Sequence, residues 1–95
     1  MRIKREIMEQ LKAYKNAVYP TGRLFVFGSR ADDTKRGGDI DLLLLTEKKI
    51  SFTEKSKMRI LLWKKFGEQK IDILNYTFDE ENTFRELIED ECIEI

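Results

Sequence analysis

Histidine is absent from this 95-residue chain. That removes serine–histidine and cysteine–histidine nucleophilic pairs and every histidine-based zinc site, so proton transfer falls to a carboxylate, a lysine or a tyrosine. Cys92 is the only cysteine, which excludes an intrachain disulfide and a paired-cysteine metal or redox motif. No stretch approaches the ~20 apolar residues that a membrane helix needs. The opening Met-Arg-Ile-Lys-Arg-Glu has no apolar signal-peptide core. The expected setting is therefore the cytoplasm. Charge of one sign is missing too: 18 basic residues stand against 18 acidic ones, a formal net charge of zero. A general nucleic-acid coat needs excess cations to displace counterions, so direct nucleic-acid binding is not expected.

What is present is ordinary for a globular chain in apolar content (41%) and high in charge (38%). The length predicts a single domain over residues 1–95 with a small core, a size at which a homo- or hetero-oligomeric partner is a natural source of extra stability. Ile3, Ile7, Leu11, Tyr14 and Val18 recur at helical spacing and predict a helix over 3–18, ended by Pro20-Thr21-Gly22. Arg23 to Phe27 reads as a short buried strand closed by Gly28. A polar stretch containing Gly37-Gly38 reads as a loop. Asp39 to Leu45 follows as a second strand, and its unbroken leucine run predicts burial on both faces and a central place in a sheet. Ser51-Phe52-Thr53-Glu54 has the form of a capping box for a helix carrying Met58 to Phe66, which Gly67 stops. That helix is apolar around more than one face, and Trp63 is a candidate partner contact. Lys70 to Tyr76 predicts a third strand, and Thr77 to Glu80 repeats the capping pattern before a last helix with Phe84, Leu87 and Ile88 on one stripe. The residues from Glu91 to Ile95 suit either a short strand or a frayed end. The expected fold is α/β (α+β), a small mixed sheet flanked by helices in the order α-β-β-α-β-α.

Asp39 and Asp41 are separated by one residue at a strand start, so both carboxylates project to one side and Ile40 to the other. Two such close carboxylates repel unless a cation or solvent reaches both. A hard divalent ion suits them, since magnesium takes a few carboxylate oxygens together with water and substrate phosphates. Asp72 lies between Ile71 and Ile73 in an apolar strand, and it reaches the same face if that strand runs beside the central one. Three carboxylates on adjacent strands can hold two metal ions, which together activate an attacking hydroxyl and stabilise leaving pyrophosphate. Gly28 permits close backbone approach to a phosphate, Ser29 adds a hydroxyl and an N–H, and Arg30 adds a charged fork.

Gly28-Ser29, a nine-residue interval, Asp39-Ile40-Asp41 and later Ile71-Asp72-Ile73 resemble the DNA polymerase beta superfamily, and within it the minimal nucleotidyltransferases. The interval is one residue shorter than the family pattern. The resemblance runs from Arg23 to Asp72. It implies that Ser29 contacts the nucleotide phosphates, that Asp39 and Asp41 bind Mg2+, that Asp72 completes the catalytic, metal-binding triad, and that ATP or another nucleoside triphosphate is the donor; Gly28 and Arg30 join the nucleotide-binding set, and two Mg2+ ions are expected, on the chemistry above. It also implies a setting: an antitoxin beside a HEPN-domain toxin, in some cases by attaching AMP to a toxin tyrosine. The alternatives are a non-catalytic module that masks its toxin and a small-molecule adenylyltransferase, the latter disfavoured by the lack of a second domain to build an acceptor pocket.

Overall fold

The computed structural model describes residues 3–28 and 39–95. Helix α1 (Arg5–Val18) buries Ile7 and Leu11, one turn apart, as its periodicity requires. Strand β1 (Arg23–Phe27) and strand β2 (Ile40–Thr46) follow, then helix α2 (Phe52–Phe66), strand β3 (Ile71–Thr77), helix α3 (Thr83–Glu89) and a two-residue strand β4 (Ile93–Glu94). The chain end therefore contains a short strand. A two-pronged Arg23–Glu94 pair, at 2.8 and 2.9 Å, ties β4 to β1. The sheet order is β3-β2-β1-β4, with β2 and β3 parallel and the other pairs antiparallel. The α/β expectation holds.

Strand β2 is interior, and both of its faces are covered: Leu42 and Leu44 are fully buried and Leu43 and Leu45 nearly so. Leu24, Val26, Leu42, Leu44, Ile71 and Ile73 form one core with Leu11 of α1 and Met58 and Leu62 of α2. On the opposite face, Phe25, Phe27, Leu43, Leu45 and Tyr76 pack with Ile88 of α3. Each fully buried Leu or Ile removes enough apolar surface to contribute about 1.5–3 kcal/mol, and the leucine run contributes to the core on both faces of the sheet.

The capping box that opens α2 is complete. Ser51 Oγ accepts from the Glu54 N–H at 3.1 Å, and Glu54 Oε1 accepts from the Ser51 N–H at 3.3 Å. The second carboxylate oxygen of Glu54 accepts from the Tyr19 hydroxyl at 2.7 Å, joining the end of α1 to the start of α2. Burial, first, and this neighbouring carboxylate push the Tyr19 hydroxyl above its usual range. Trp63 is partly buried against the core, and its indole N–H donates to the Gln69 carbonyl at 2.7 Å, so that edge of the ring serves the fold.

The last helix begins later than its sequence pattern predicts. Thr77 is still in β3, and the cap of α3 is Asn82, whose side chain accepts from the N–H groups of Phe84 and Arg85. Asparagine is a stronger N-cap than threonine, and Arg85 pins the intervening turn by donating to the carbonyls of Thr77, Phe78 and Glu80. Of its expected apolar stripe, Ile88 is buried, whereas Phe84 and Leu87 are exposed. No helix among the described residues is long and apolar enough to cross a membrane.

Candidate active site

The alternation of β2 puts Asp41, Leu43 and Leu45 on the α3 side of the sheet and Ile40, Leu42 and Leu44 on the side of α1 and α2. The same parity in β3 puts Asp72 with Leu74 and Tyr76, again on the α3 side. Register completes the arrangement. Asp41 is the cross-strand partner of Asp72 on the parallel neighbour and of Phe27 on the antiparallel one. Phe27, Asp41 and Asp72 thus form a row across three strands, at strand spacings of ~4.8 Å. They line an open cleft of about 320 Å3, together with Leu74, Phe84 and Arg59. The rings of Phe27 and Phe84 meet edge to face, 6.3 Å between centroids, and wall one side.

Gly28 follows Phe27 with φ +70°, a conformation that glycine adopts without strain. A Cβ placed on Gly28 would collide with Asp41 Oδ2 and lie 3.3 Å from Asp41 Cγ. The missing side chain leaves the space that the Asp41 carboxylate uses. The neighbours expected to join Gly28, Ser29 and Arg30, lie outside the described residues, as does the Gly37-Gly38 turn.

The electrostatics of the row are those of two crowded carboxylates that also share a hydrogen bond. Asp41 is held above the usual carboxylate range, first by burial, then by the negative charges of Asp72 and Asp39, with Lys70 opposing them. Asp39, just before β2, stands apart from the pair: its carboxylate meets Lys70 Nζ at 3.3 Å, and that contact raises the lysine above its ordinary value. Among the described residues, no three acidic or thiol groups converge closely enough to form a ready metal cage. The structure brings Asp41 and Asp72 together beside Gly28 and leaves Asp39 at the same strand end on a lysine counter-ion.

A divalent cation fits this donor set. Asp41 and Asp72 are adjacent carboxylates whose mutual repulsion a hard cation relieves, and the cradle beside them is one that a Cβ would fill. A second cavity of about 330 Å3 lies at the other end of the α3 face, lined by Phe25, Leu43, Leu45 and Cys92. Its charges include the paired Arg23 and Glu94, and burial pushes the Cys92 thiol up into its unreactive form. Its two carboxylates, Glu89 and Glu94, share the lining with two arginines, Arg23 and Arg85, so its charge is balanced.

Two side chains beside the acids were not singled out by their sequence pattern. Lys70 shares strand parity with Asp72 and is level with Asp39, so alternation alone contains the signal for it. Arg59 sits on α2 and reaches the cleft around the edge of β3, which no local pattern encodes.

The family model described as "Polymerase beta, Nucleotidyltransferase" matches residues 6–95, nearly the whole chain. No curated protein matches it.

Proposed function

The chain belongs to the polymerase beta nucleotidyltransferase family, and from that premise we propose that it transfers AMP from ATP to a hydroxyl on a protein, a tyrosine of a partner HEPN-domain toxin, and so acts as an antitoxin. The observation that carries the chemical part is the in-register pair Asp41 and Asp72 on parallel neighbours, beside a glycine whose missing side chain leaves Asp41 its room.

Asp41, Asp72 and, once released from Lys70, Asp39 are the residues that would hold Mg2+. When bound, the ion supplies charge neutralisation for the phosphates and for the departing pyrophosphate. Gly28, with Ser29 and Arg30 after it, receives the triphosphate. The acceptor oxygen attacks the α-phosphorus in line. The new O–P bond forms as the bond to the β-phosphate oxygen breaks, and pyrophosphate leaves with that electron pair. Asp72 takes the hydroxyl proton, the chain having no histidine for the task.

The charge distribution supports a protein acceptor over a nucleic acid. The segment from Phe78 to Ile95 contains Asp79, Glu80, Glu81, Glu86, Glu89, Asp90, Glu91 and Glu94 against Arg85 alone. Part of it, at Phe84, walls the cleft. Such an acidic approach repels a phosphate backbone.

The test is incubation with Mg2+, ATP labelled at the α-phosphate and the product of the neighbouring gene. Label on a tyrosine of that protein, lost with Asp41→Asn, is the expected result. Tight inhibition of the partner without any label would instead identify a masking module, and label on a small molecule alone would identify a small-molecule adenylyltransferase.

A further inference from the structure

We propose that Arg59 is a catalytic residue of the transfer, its guanidinium contacting the α-phosphoryl oxygens from the side opposite Gly28. This inference rests on the nucleotidyl-transfer reading above. Arg59 lines the same cleft as Asp41 and Asp72. Its Nε donates to the Ile71 carbonyl at 2.8 Å. Successive carbonyls in a strand point to opposite edges, and the Lys70 carbonyl accepts from Ile40 of β2, so the Ile71 carbonyl faces the open edge of β3. The tether therefore fixes the guanidinium at the rim of the cleft, one strand beyond Asp72.

That tether engages one of the five donors of the fork. Among the described residues, the Nη nitrogens hold no hydrogen bond, and Arg59 makes no ion pair with Asp41 or Asp72. An arginine collapsed onto the acids would compete with a divalent cation for them. Held by a backbone carbonyl instead, this one keeps its charge available to an anion in the cleft. Lys70 differs, being engaged by Asp39 in the metal-free chain and carried immediately before β3, level with the start of β2.

The order across the sheet assigns the phosphate that Arg59 meets. Gly28 ends β1, Asp41 is on β2, Asp72 on β3, and Arg59 lies past β3. Strands β1 and β3 are ~10 Å apart, twice the strand spacing. A triphosphate with its β and γ groups towards Gly28 and its α-phosphorus over the acid pair presents the α-phosphoryl oxygens to Arg59 and keeps the γ-phosphate out of its reach. As the acceptor oxygen bonds to phosphorus and the bond to pyrophosphate breaks, a permanently charged, preoriented fork at that place offsets the charge on the transferring group. The effect falls on kcat.

The structure contains its own control for the competing idea that Arg59 only caps a sheet edge. Lys49 Nζ donates to the Asn75 carbonyl at 2.8 Å, on the same edge of β3 but away from the cleft. Arg59→Met, Arg59→Lys and Lys49→Met are compared with the parent for kcat and KM in the labelled-ATP assay, for Mg-ATP affinity by calorimetry and for Tm. The expected result is that Arg59→Met loses about 100-fold in kcat, while its KM and Mg-ATP affinity stay within about threefold. Arg59→Lys recovers part of the rate, and Lys49→Met keeps it. The proposal falls if Arg59→Met lowers Tm as Lys49→Met does but leaves kcat intact. It falls equally if the change is a raised KM at constant kcat, which would move Arg59 to the triphosphate. A parent that transfers nothing overturns the transfer reading and this role with it, whereas an active parent matched by an active Arg59→Met overturns this role alone.

Discussion

Replacing Gly28 by alanine tests whether the empty space beside Asp41 is what positions the acid pair. Two effects follow from the geometry. The first is backbone strain: at φ +70° a side chain costs ~1–2 kcal/mol, of which ~0.4–1 kcal/mol is returned because alanine restricts the unfolded chain. The net loss is about 1 kcal/mol, a Tm drop of about 4–8 °C for a domain this size. The second effect is local. The new Cβ overlaps Asp41 Oδ2, and Cγ at 3.3 Å and Cβ at 3.5 Å leave the carboxylate no room except by swinging out of the row. A displacement near 1 Å at a reacting centre costs on the order of 100-fold in rate. Gly67, at the end of α2, separates the two effects, because its φ is +85° and a Cβ there meets nothing within 4 Å. Gly67, with φ 85° and ψ 165°, should on replacement by alanine lose about 1–3 kcal/mol through backbone strain alone and keep full activity, whereas Gly28→Ala should lose stability together with a rate about 100-fold lower. Thermal melts and the labelled-ATP assay read both. Folded Gly28→Ala with parental activity would refute the idea that this glycine makes room for the carboxylate.

Asp41→Asn should raise the stability of the metal-free protein at neutral pH by about 1 kcal/mol, the repulsion between neighbouring carboxylates after screening by water. Because the folded protein holds the Asp41 proton more tightly than the unfolded chain does, its contribution to stability is complete below pH 3.8 and is lost as pH rises through the raised folded value. Urea melts across the acid range should show that loss in the parent, a reduced loss with saturating Mg2+, and none of Asp41's share in Asp41→Asn. Asn75→Ala should destabilise by about 2–3 kcal/mol. Buried Asn75 accepts from the Ile50 N–H and donates to the Leu44 carbonyl and Thr46 Oγ1; alanine removes all three bonds, and Thr46 Oγ1 keeps only the one it donates to the Lys48 carbonyl. Residual folded protein at low temperature should keep its rate, since this network lies at the strand ends away from the acids.

Much of this was legible residue by residue. The Asp39-Ile40-Asp41 spacing carries its own face assignment, because strand alternation is a property of the backbone. The four leucines after it announce an interior strand, and Ser51 with Glu54 announces the start of α2, because both signals act within a few neighbouring residues. Other features misled for an equally local reason. Thr77 and Glu80 look like a cap, yet the cap went to Asn82 because Thr77 was already committed to β3. Phe84 and Leu87 follow the period of a buried stripe, but the short α3 covers the sheet with Ile88 and leaves them outside.

The sequence thus indicated three of the four strands, which of their side chains share a face, and a glycine closing β1; it left β4 open. It carries no record of register between strands thirty residues apart, because that depends on how α2 packs in the crossover from β2 to β3. Only the folded chain sets Asp72 level with Asp41, gives Asp39 to Lys70, and brings Arg59 around the sheet edge to the Ile71 carbonyl. Periodicity is written in adjacent residues, whereas convergence of distant charges arises when a common core fixes the elements that carry them.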